Sequence, residues 1–541
     1  CFLFNKGQNM TFSRSILFIC VTTMMHSALA NVETKSGKKL EQATSTQVTE
    51  PSIQVNEVVF SGNTIYTEQQ LKGFVAQDLG QVMTLAQIKE LALKVQNIYQ
   101  QAGYNLTKVV VPQQNFQSGQ PVQLLVLEGK LGKIEYTGNS KYYDTKFITQ
   151  SLSASDIVSG RAFTLGQLEN TLARINRQAG VKVASVLKPG AEQGSTDISI
   201  QVDEAPRFIA AVEVNNYGSK STGEYRALPY LDIVNLTGRG DDLSFMGMHS
   251  IDGEGSYFAR LAYNTPINAS GTKAAAYVYK GNVRVGEQLT VLNIQGDNSG
   301  YGLGLQHDFV KDARNLFQLE SWFESYDLKQ TMLDEAYAND KVRKLRLVGN
   351  FERLGENNRS LYSVSLHQGL GDTLGAMPKD SNLSTRSMAG ADNSFTKLGF
   401  DWTRIQRITP RFSLLPHLTA QYAFNSLVSG EQIAIGGYNS VIGQAPSAYS
   451  GDSGFNLNLE GRYVLFPENE KYQLSSRIDY GQVFTKKVSL DQDRNNELTG
   501  MSVGLLANPT KNISLRLDYG HALDKATGKE NYAYFQARYT Y

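Results

Sequence analysis

The chain has 541 residues, and its Lys+Arg (52) and Asp+Glu (51) nearly cancel at a charged fraction of 19%. That length exceeds one ordinary soluble domain, and so neutral a balance leaves no basic footprint for nucleic acid. After the N-terminus no run of about 18 apolar residues occurs, which excludes a transmembrane helix bundle but not a membrane β-barrel, whose strands alternate.

Residues 1–30 read as upstream residues plus a signal peptide. Met10 reads as the start, Arg14 supplies the positive charge, Ile16 to Met25 is the apolar core, and Ala28-Leu29-Ala30 is the cleavage site. Cys20 follows Ile19, which is too large for a lipoprotein signal. Cys1 and Cys20 are the only cysteines and both precede the cleavage site, so the mature chain has no disulfide and no Cys-based metal site. Residues 31–52 are polar and read as a linker or a plug segment of weak helical amphipathicity.

An internal repeat follows. Val55-Asn56-Glu57-Val58-Val59-Phe60-Ser61-Gly62-Asn63-Thr64 recurs as Leu131-Gly132-Lys133-Ile134-Glu135-Tyr136-Thr137-Gly138-Asn139-Ser140, 76 residues later. Thr84-Leu85 and Thr164-Leu165 start a helix in each copy, and Ala102-Gly103 and Ala179-Gly180 end it, glycine suiting the left-handed position there. Ile88, Leu91, Val95 and Ile98 form one buried face, as do Leu168, Leu172 and Ile175. Strands at residues 107–112 and 122–128, then 181–187 and 197–203, close the two units. Each is a β-α-α-β-β module, spanning residues 53–129 and 130–206.

From residue 207 to 541 a two-residue alternation replaces the helical period. Phe412, Leu414, Leu418, Ala420, Tyr422 and Phe424 lie opposite Ser413, His417, Thr419 and Gln421. Ile513, Leu515, Leu517 and Tyr519 lie opposite Ser514, Arg516 and Asp518. One apolar and one polar face on strands of about ten residues is the signature of a membrane barrel. About sixteen strands fit, an even number, with short turns alternating with long connections at 369–394, 425–454 and 484–500. An arm that precedes the first strand places that strand's start in the periplasm. The connection at 425–454 is then the sixth outer loop. The fold expected is an all-β transmembrane barrel of 16 antiparallel strands preceded by two small α+β modules.

The residues from about 53 onward resemble the outer-membrane transporters of two-partner secretion, the haemolysin and filamentous-adhesin secretors, in the superfamily of the barrel assembly factor. The two repeats are similar to that family's POTRA (polypeptide-transport-associated) domains. The barrel's first hairpin carries the most specific match, in Asn216, Tyr217, Gly218, Gly223, Arg226, Gly238, Gly240 and Asp241. Ser429-Gly430-Glu431-Gln432, Gly436-Gly437 and Gly451-Asp452-Ser453-Gly454 resemble the flanks of the family's sixth loop. The tip departs from the pattern: it reads Val441-Ile442-Gly443-Gln444, with Ile442 where the family carries an Arg that reaches an inward Asp. Asp401, in Gly399-Phe400-Asp401-Trp402-Thr403, is the expected wall partner.

The resemblance implies export of one unfolded, secreted partner polypeptide from the periplasm to the surface of a Gram-negative cell. Val122, Leu124 and Val126 on a strand, with Ile88, Leu91 and Val95 on a helix, are expected to border a capture groove, where an extended segment adds as a strand. Outer-membrane lipid, the barrel assembly machinery for its own insertion and a monomeric state complete the expected associations. No enzyme activity, cofactor or metal is expected. His26, His249, His307, His367, His417 and His521 have no ligand spacing, and no phosphate loop or nucleophile elbow occurs. Arg239-Gly240-Asp241 spells an adhesion tripeptide but falls in a periplasmic turn. Two rival readings stay open, an assembly factor for other barrels and a passive porin.

Overall fold

The computed structural model describes residues 51–541 except 254, 313, 488–493 and 525–530. The expected signal peptide and most of the linker or plug segment lie outside the described residues.

The first module contains β1 (Ser52–Val55), β2 (Val58–Ser61), α1 (Glu68–Val75), β3 (Gln81–Thr84), α2 (Leu85–Gln101), β4 (Lys108–Val110) and β5 (Val122–Leu127). β1 pairs with β3, and β2-β5-β4 form a three-stranded sheet. The second module contains β6 (Lys130–Asn139), α3 (Thr145–Ser153), α4 (Leu165–Ile175), β7 (Val181–Pro189) and β8 (Ser195–Glu204), with sheet order β6-β8-β7. Local chemistry explains the helix starts. Thr84 and Thr164 are N-caps, and Gln87 and Gln167 return the bond to the cap backbone, so each is a capping box. Gly103, just past α2, has φ +92°. Gly180 does not follow its helix directly, because α4 already stops at Ile175. It sits instead where a side chain would strike Val234 of the barrel.

The 76-residue offset extends to a buried carboxylate. Glu128 accepts from the backbone N–H of Thr64 (2.6 Å) and Ile65 (2.8 Å), from the Thr64 hydroxyl, and from Tyr99 Oη (3.2 Å). Burial, then the Glu128 charge, pushes the Tyr99 hydroxyl well above its ordinary range and keeps it a donor. In the second module Glu204 accepts from the N–H of Tyr142 (2.7 Å) and Tyr143. Each Glu thus ties down the turn between the first strand and first helix. Glu128→Ala removes the acceptor of four donors, of which Tyr99 Oη is buried, and an orphaned buried donor costs about 1–3 kcal/mol. The expected result is a first module destabilised by at least about 2 kcal/mol, read as faster hydrogen exchange in α2 with the barrel amides unchanged.

Sixteen antiparallel strands form the closed barrel, from Phe208–Asn215 to Asn531–Thr540, each paired with its chain neighbour and the last with the first. Strand length runs from 8 residues to 20 (Glu335–Leu354), longer than the ten expected. Leu457, Leu459, Tyr463, Leu515, Leu517 and Tyr519 are exposed on the outer face, as a lipid-facing surface requires. Among the described residues no helix is long and apolar enough to cross a membrane.

The second module docks on the barrel's short turns. Asp144 N–H donates to Gly238 O (2.8 Å) and Ala179 N–H to Gly240 O (3.2 Å). Arg177 lies 3.6 Å from Asp308 and 3.4 Å from Glu352. Asp241 is buried and accepts from Thr237 N–H, Thr237 Oγ1 and Tyr263 Oη, each at 2.9 Å. The Arg239-Gly240-Asp241 tripeptide is therefore part of a docking turn. The second module sits at the barrel end that carries the short turns, and the long connections lie at the other.

Candidate functional site

The residues expected to line a capture groove do not reach the surface. Val122, Leu124, Val126, Ile88, Leu91 and Val95 are all buried and form the core of the first module. Their strand, β5, is central, with β2 on one side and β4 on the other. Hydrophobic periodicity reported burial correctly; what the side chains are buried against is their own domain.

The barrel-hairpin residues separate to the two ends of the strand Arg226–Val234. Gly238, Gly240 and Asp241 form the docking turn. Asn216, Tyr217, Gly218, Gly223 and Arg226 cluster at the outer end, beside the closure of the barrel. That closure is short, with five paired positions between Gln536↔Asn215 and Thr540↔Ala211. Asn216 extends it with its side chain, donating to Ala533 O (2.8 Å) and accepting from Phe535 N–H (2.8 Å). Tyr217 Oη donates to Gln536 (3.1 Å).

The sixth outer loop, residues 424–452, folds back into the lumen. A short hairpin, Ile433–Ile435 with Tyr449–Gly451, carries its tip. Val441, Ile442 and Gln444 are fully buried. Three consecutive wall strands make room by presenting glycine. A Cβ on Gly481 would lie 2.9 Å from Val441, one on Gly500 would collide with the Ile442 carbonyl oxygen, and one on Gly520 would lie 2.9 Å from Gly443 N. Gly443 itself has φ +80° and faces the backbone of His521 and Ala522, so only glycine fits there.

The carboxylate that meets the tip is Asp479, not Asp401. Ile442 N–H donates to Asp479 Oδ2 at 2.9 Å. Asp401 lies three strands away and is taken by His417 Nε2 (3.1 Å) and Thr419 Oγ1 (2.8 Å). The guanidinium absent from position 442 is supplied from the wall. Arg477 donates to Asp479 (2.7 Å) and to the Tyr438 (2.9 Å) and Ser440 (2.8 Å) carbonyls of the loop. Asn458 joins Asp479 (2.8 Å) to Ser440 O (2.6 Å). Gly443 N–H donates to Tyr534 Oη (3.3 Å), and Gln444 Nε2 to Thr499 O (3.1 Å) and Asp524 (2.7 Å). An Arg–Asp pair thus survives with both members on one wall strand, gripping the loop's backbone rather than a loop side chain.

Two further contacts fix the loop. Tyr438 stacks on Tyr217 with centroids 3.7 Å apart, and Arg477 and Arg516 lie over the Tyr438 ring. At the loop's base, buried Glu431 accepts from Lys344 (2.6 Å), Lys397 (2.8 Å) and Tyr326 Oη (2.9 Å). Glu431→Gln leaves two buried lysines facing each other without that charge, a loss of the order of 3 kcal/mol. The expected result is protease cleavage within 424–452 at concentrations the parent resists, with the barrel core intact.

Glu460, Arg462, Arg516 and Asp518 form an ion-paired patch on the wall below the tip. Inward charge was legible for each of them. Asp479 carried the same signal, since Arg477, Asp479 and Gly481 alternate with apolar Ile478 and Tyr480. Among the described residues no group of three or more His, Cys, Asp or Glu is arranged to hold a metal.

A closed sixteen-stranded barrel with a periplasmic pair of POTRA-type modules and a loop seated in its lumen defines an outer-membrane transporter. The chain belongs to the haemolysin secretion/activation protein family (ShlB/FhaC/HecB), whose model matches residues 194–507, and a ShlB-type POTRA domain matches residues 53–129. It is 24% identical over 443 residues to the heme/hemopexin transporter protein HuxB of Haemophilus influenzae, covering 80% of this chain and 76% of that protein. It is 23% identical to the outer membrane transporter CdiB of Dickeya dadantii, covering 84% and 80%. The solved structure of CdiB from Escherichia coli superposes with a TM-score of 0.74 at 18% identity, over 93% of each chain. The likeness in structure concerns the fold; the family carries a secreted partner protein across the outer membrane.

Proposed function

We propose that this chain exports one large, unfolded partner polypeptide. The first POTRA module captures it in the periplasm and the barrel lumen serves as the pore. The single observation that carries the reading is the sixth loop, a polypeptide seated inside the barrel whose tip is held through main-chain groups by Asp479, Arg477 and Tyr534. A lumen that grips main-chain groups and yields the space of a folded hairpin suits the passage of an extended chain. Cargo folding outside supplies the direction, since binding and folding on one side bias a reversible passage. The barrel works as a monomer and reaches the membrane through the barrel assembly machinery.

Removing the gene and measuring both the medium and the outer membrane tests this. Loss of one large protein from the medium, with the outer-membrane protein pattern unchanged, is expected. A broad loss of other barrels would instead identify an assembly factor, and an unchanged medium with altered small-solute uptake a porin.

A further inference from the structure

β4 ends early against its neighbour. It pairs with β5 at Lys108↔Leu127, Val109↔Val126 and Val110↔Leu125. Continuing that register, Pro112 would face Gln123, but proline has no N–H to give. The vacant rung is filled by a side chain. Gln114 Nε2 donates to Gln123 O at 2.9 Å, and Gln123 N–H donates to Gln114 Oε1 at 2.9 Å.

These two bonds are the pair that one residue of an antiparallel strand exchanges with the residue opposite. A primary amide offers the same donor and acceptor as a peptide group. On the other side of β5 the ladder to β2 uses different groups, with Val122 N–H donating to Glu57 O at 2.9 Å. Gln123 is exposed, and the sheet face beside it presents exposed Val110 and half-buried Val59 and Leu125. Besides Gln123, Gln114 Nε2 has the Pro112 carbonyl at 3.4 Å, and Phe116, further along the connection from β4 to β5, packs against the module's core.

We propose that Gln114 holds the place of a peptide group of the exported chain, and that an extended segment of that chain displaces it to pair with Gln123. The occupant is an unfolded polypeptide recognised through its main chain, with small or apolar side chains laid on Val110 and Leu125. Such pairing reads backbone rather than sequence. The built-in competitor keeps it weak enough to release, and it covers the edge at rest, where an open strand invites aggregation. The proposal rests on the reading of the first module as the capture module.

The test uses the full chain in detergent micelles and fluorescently labelled, reduced and carboxymethylated α-lactalbumin as the unfolded probe, followed by anisotropy. Gln114→Ala removes the competitor, so binding is expected to tighten about three- to tenfold, the size of one or two net hydrogen bonds. The Gln123 amide should exchange faster in Gln114→Ala alone and slow again when the probe is added. Unchanged or weaker binding by Gln114→Ala, or a Gln123 amide the probe leaves unprotected, overturns the proposal and leaves Gln114 as an edge seal. The variant lacking residues 53–129 separates the two claims. If it loses the probe while Gln114→Ala matches the parent, only the placeholder falls. If it binds as the parent does, the capture reading falls as well.

Discussion

Deleting residues 53–129 is expected to reduce the exported partner in the medium to background while the barrel stays inserted. The barrel needs nothing from that segment to close, since its hydrogen-bonded circuit runs from Phe208–Asn215 to Asn531–Thr540 and back. Docking of the arm runs through the second module, by Asp144, Arg177 and Ala179. The deletion therefore leaves a folded, anchored pore without its capture module. Heat-modifiable migration of the barrel on gels reports insertion, and immunoblots of cells and medium report export. Cargo should accumulate in, or be degraded in, the periplasm. Normal secretion by the deletant would mean that the first module has no part in capture. A barrel lost from the membrane would mean that the module serves assembly of the chain itself.

Much of this architecture can be read from residue order because its periods are strong. The 76-residue repeat locates both modules, and the turn-binding carboxylates Glu128 and Glu204 keep the same offset at the level of side-chain chemistry. Two-residue alternation locates the barrel and counts the sixth loop correctly, and the sixteen strands follow. Other features are silent in sequence for physical reasons. Alternation says that Asp401 and Asp479 both face inward, but not which strand lies across the lumen from the loop tip. That depends on barrel curvature and on the glycines at 481, 500 and 520, whose missing side chains make the seat. Ile88, Leu91 and Val95 show a buried stripe, and a stripe looks the same whether it covers a core or lines a groove. The long hairpin of Asn315–Met332 and Glu335–Leu354 continues its ladder well past what a bilayer needs, because polar alternation carries no mark where lipid ends.

The glycine seat makes Gly500→Val the strongest test of the lumen. Its new side chain would collide with the Ile442 carbonyl and press on Val441. The wall cannot retreat, since Gly500 pairs on both sides, with Asp479 and with Ala522. The loop must give way instead, and it loses the bonds from Ile442 to Asp479, from Gly443 to Tyr534 and from Gln444 to Thr499 together. Each net bond contributes about 0.5–1.5 kcal/mol, so unseating the tip shifts its docked population by roughly tenfold or more. Planar-bilayer recordings are expected to show a larger and longer-lived conductance than the parent, and cells to become sensitive to large antibiotics that the outer membrane normally excludes. Gly296→Ala, where an added Cβ meets nothing within 4 Å, is the matched control and should behave as the parent. A Gly500→Val channel with parental conductance would show that the tip does not occlude the pore. The occlusion would then have to be assigned to the loop's base, where Glu431 stays clasped by Lys344 and Lys397. Recording Glu431→Gln beside Gly500→Val decides between the two ends of the loop.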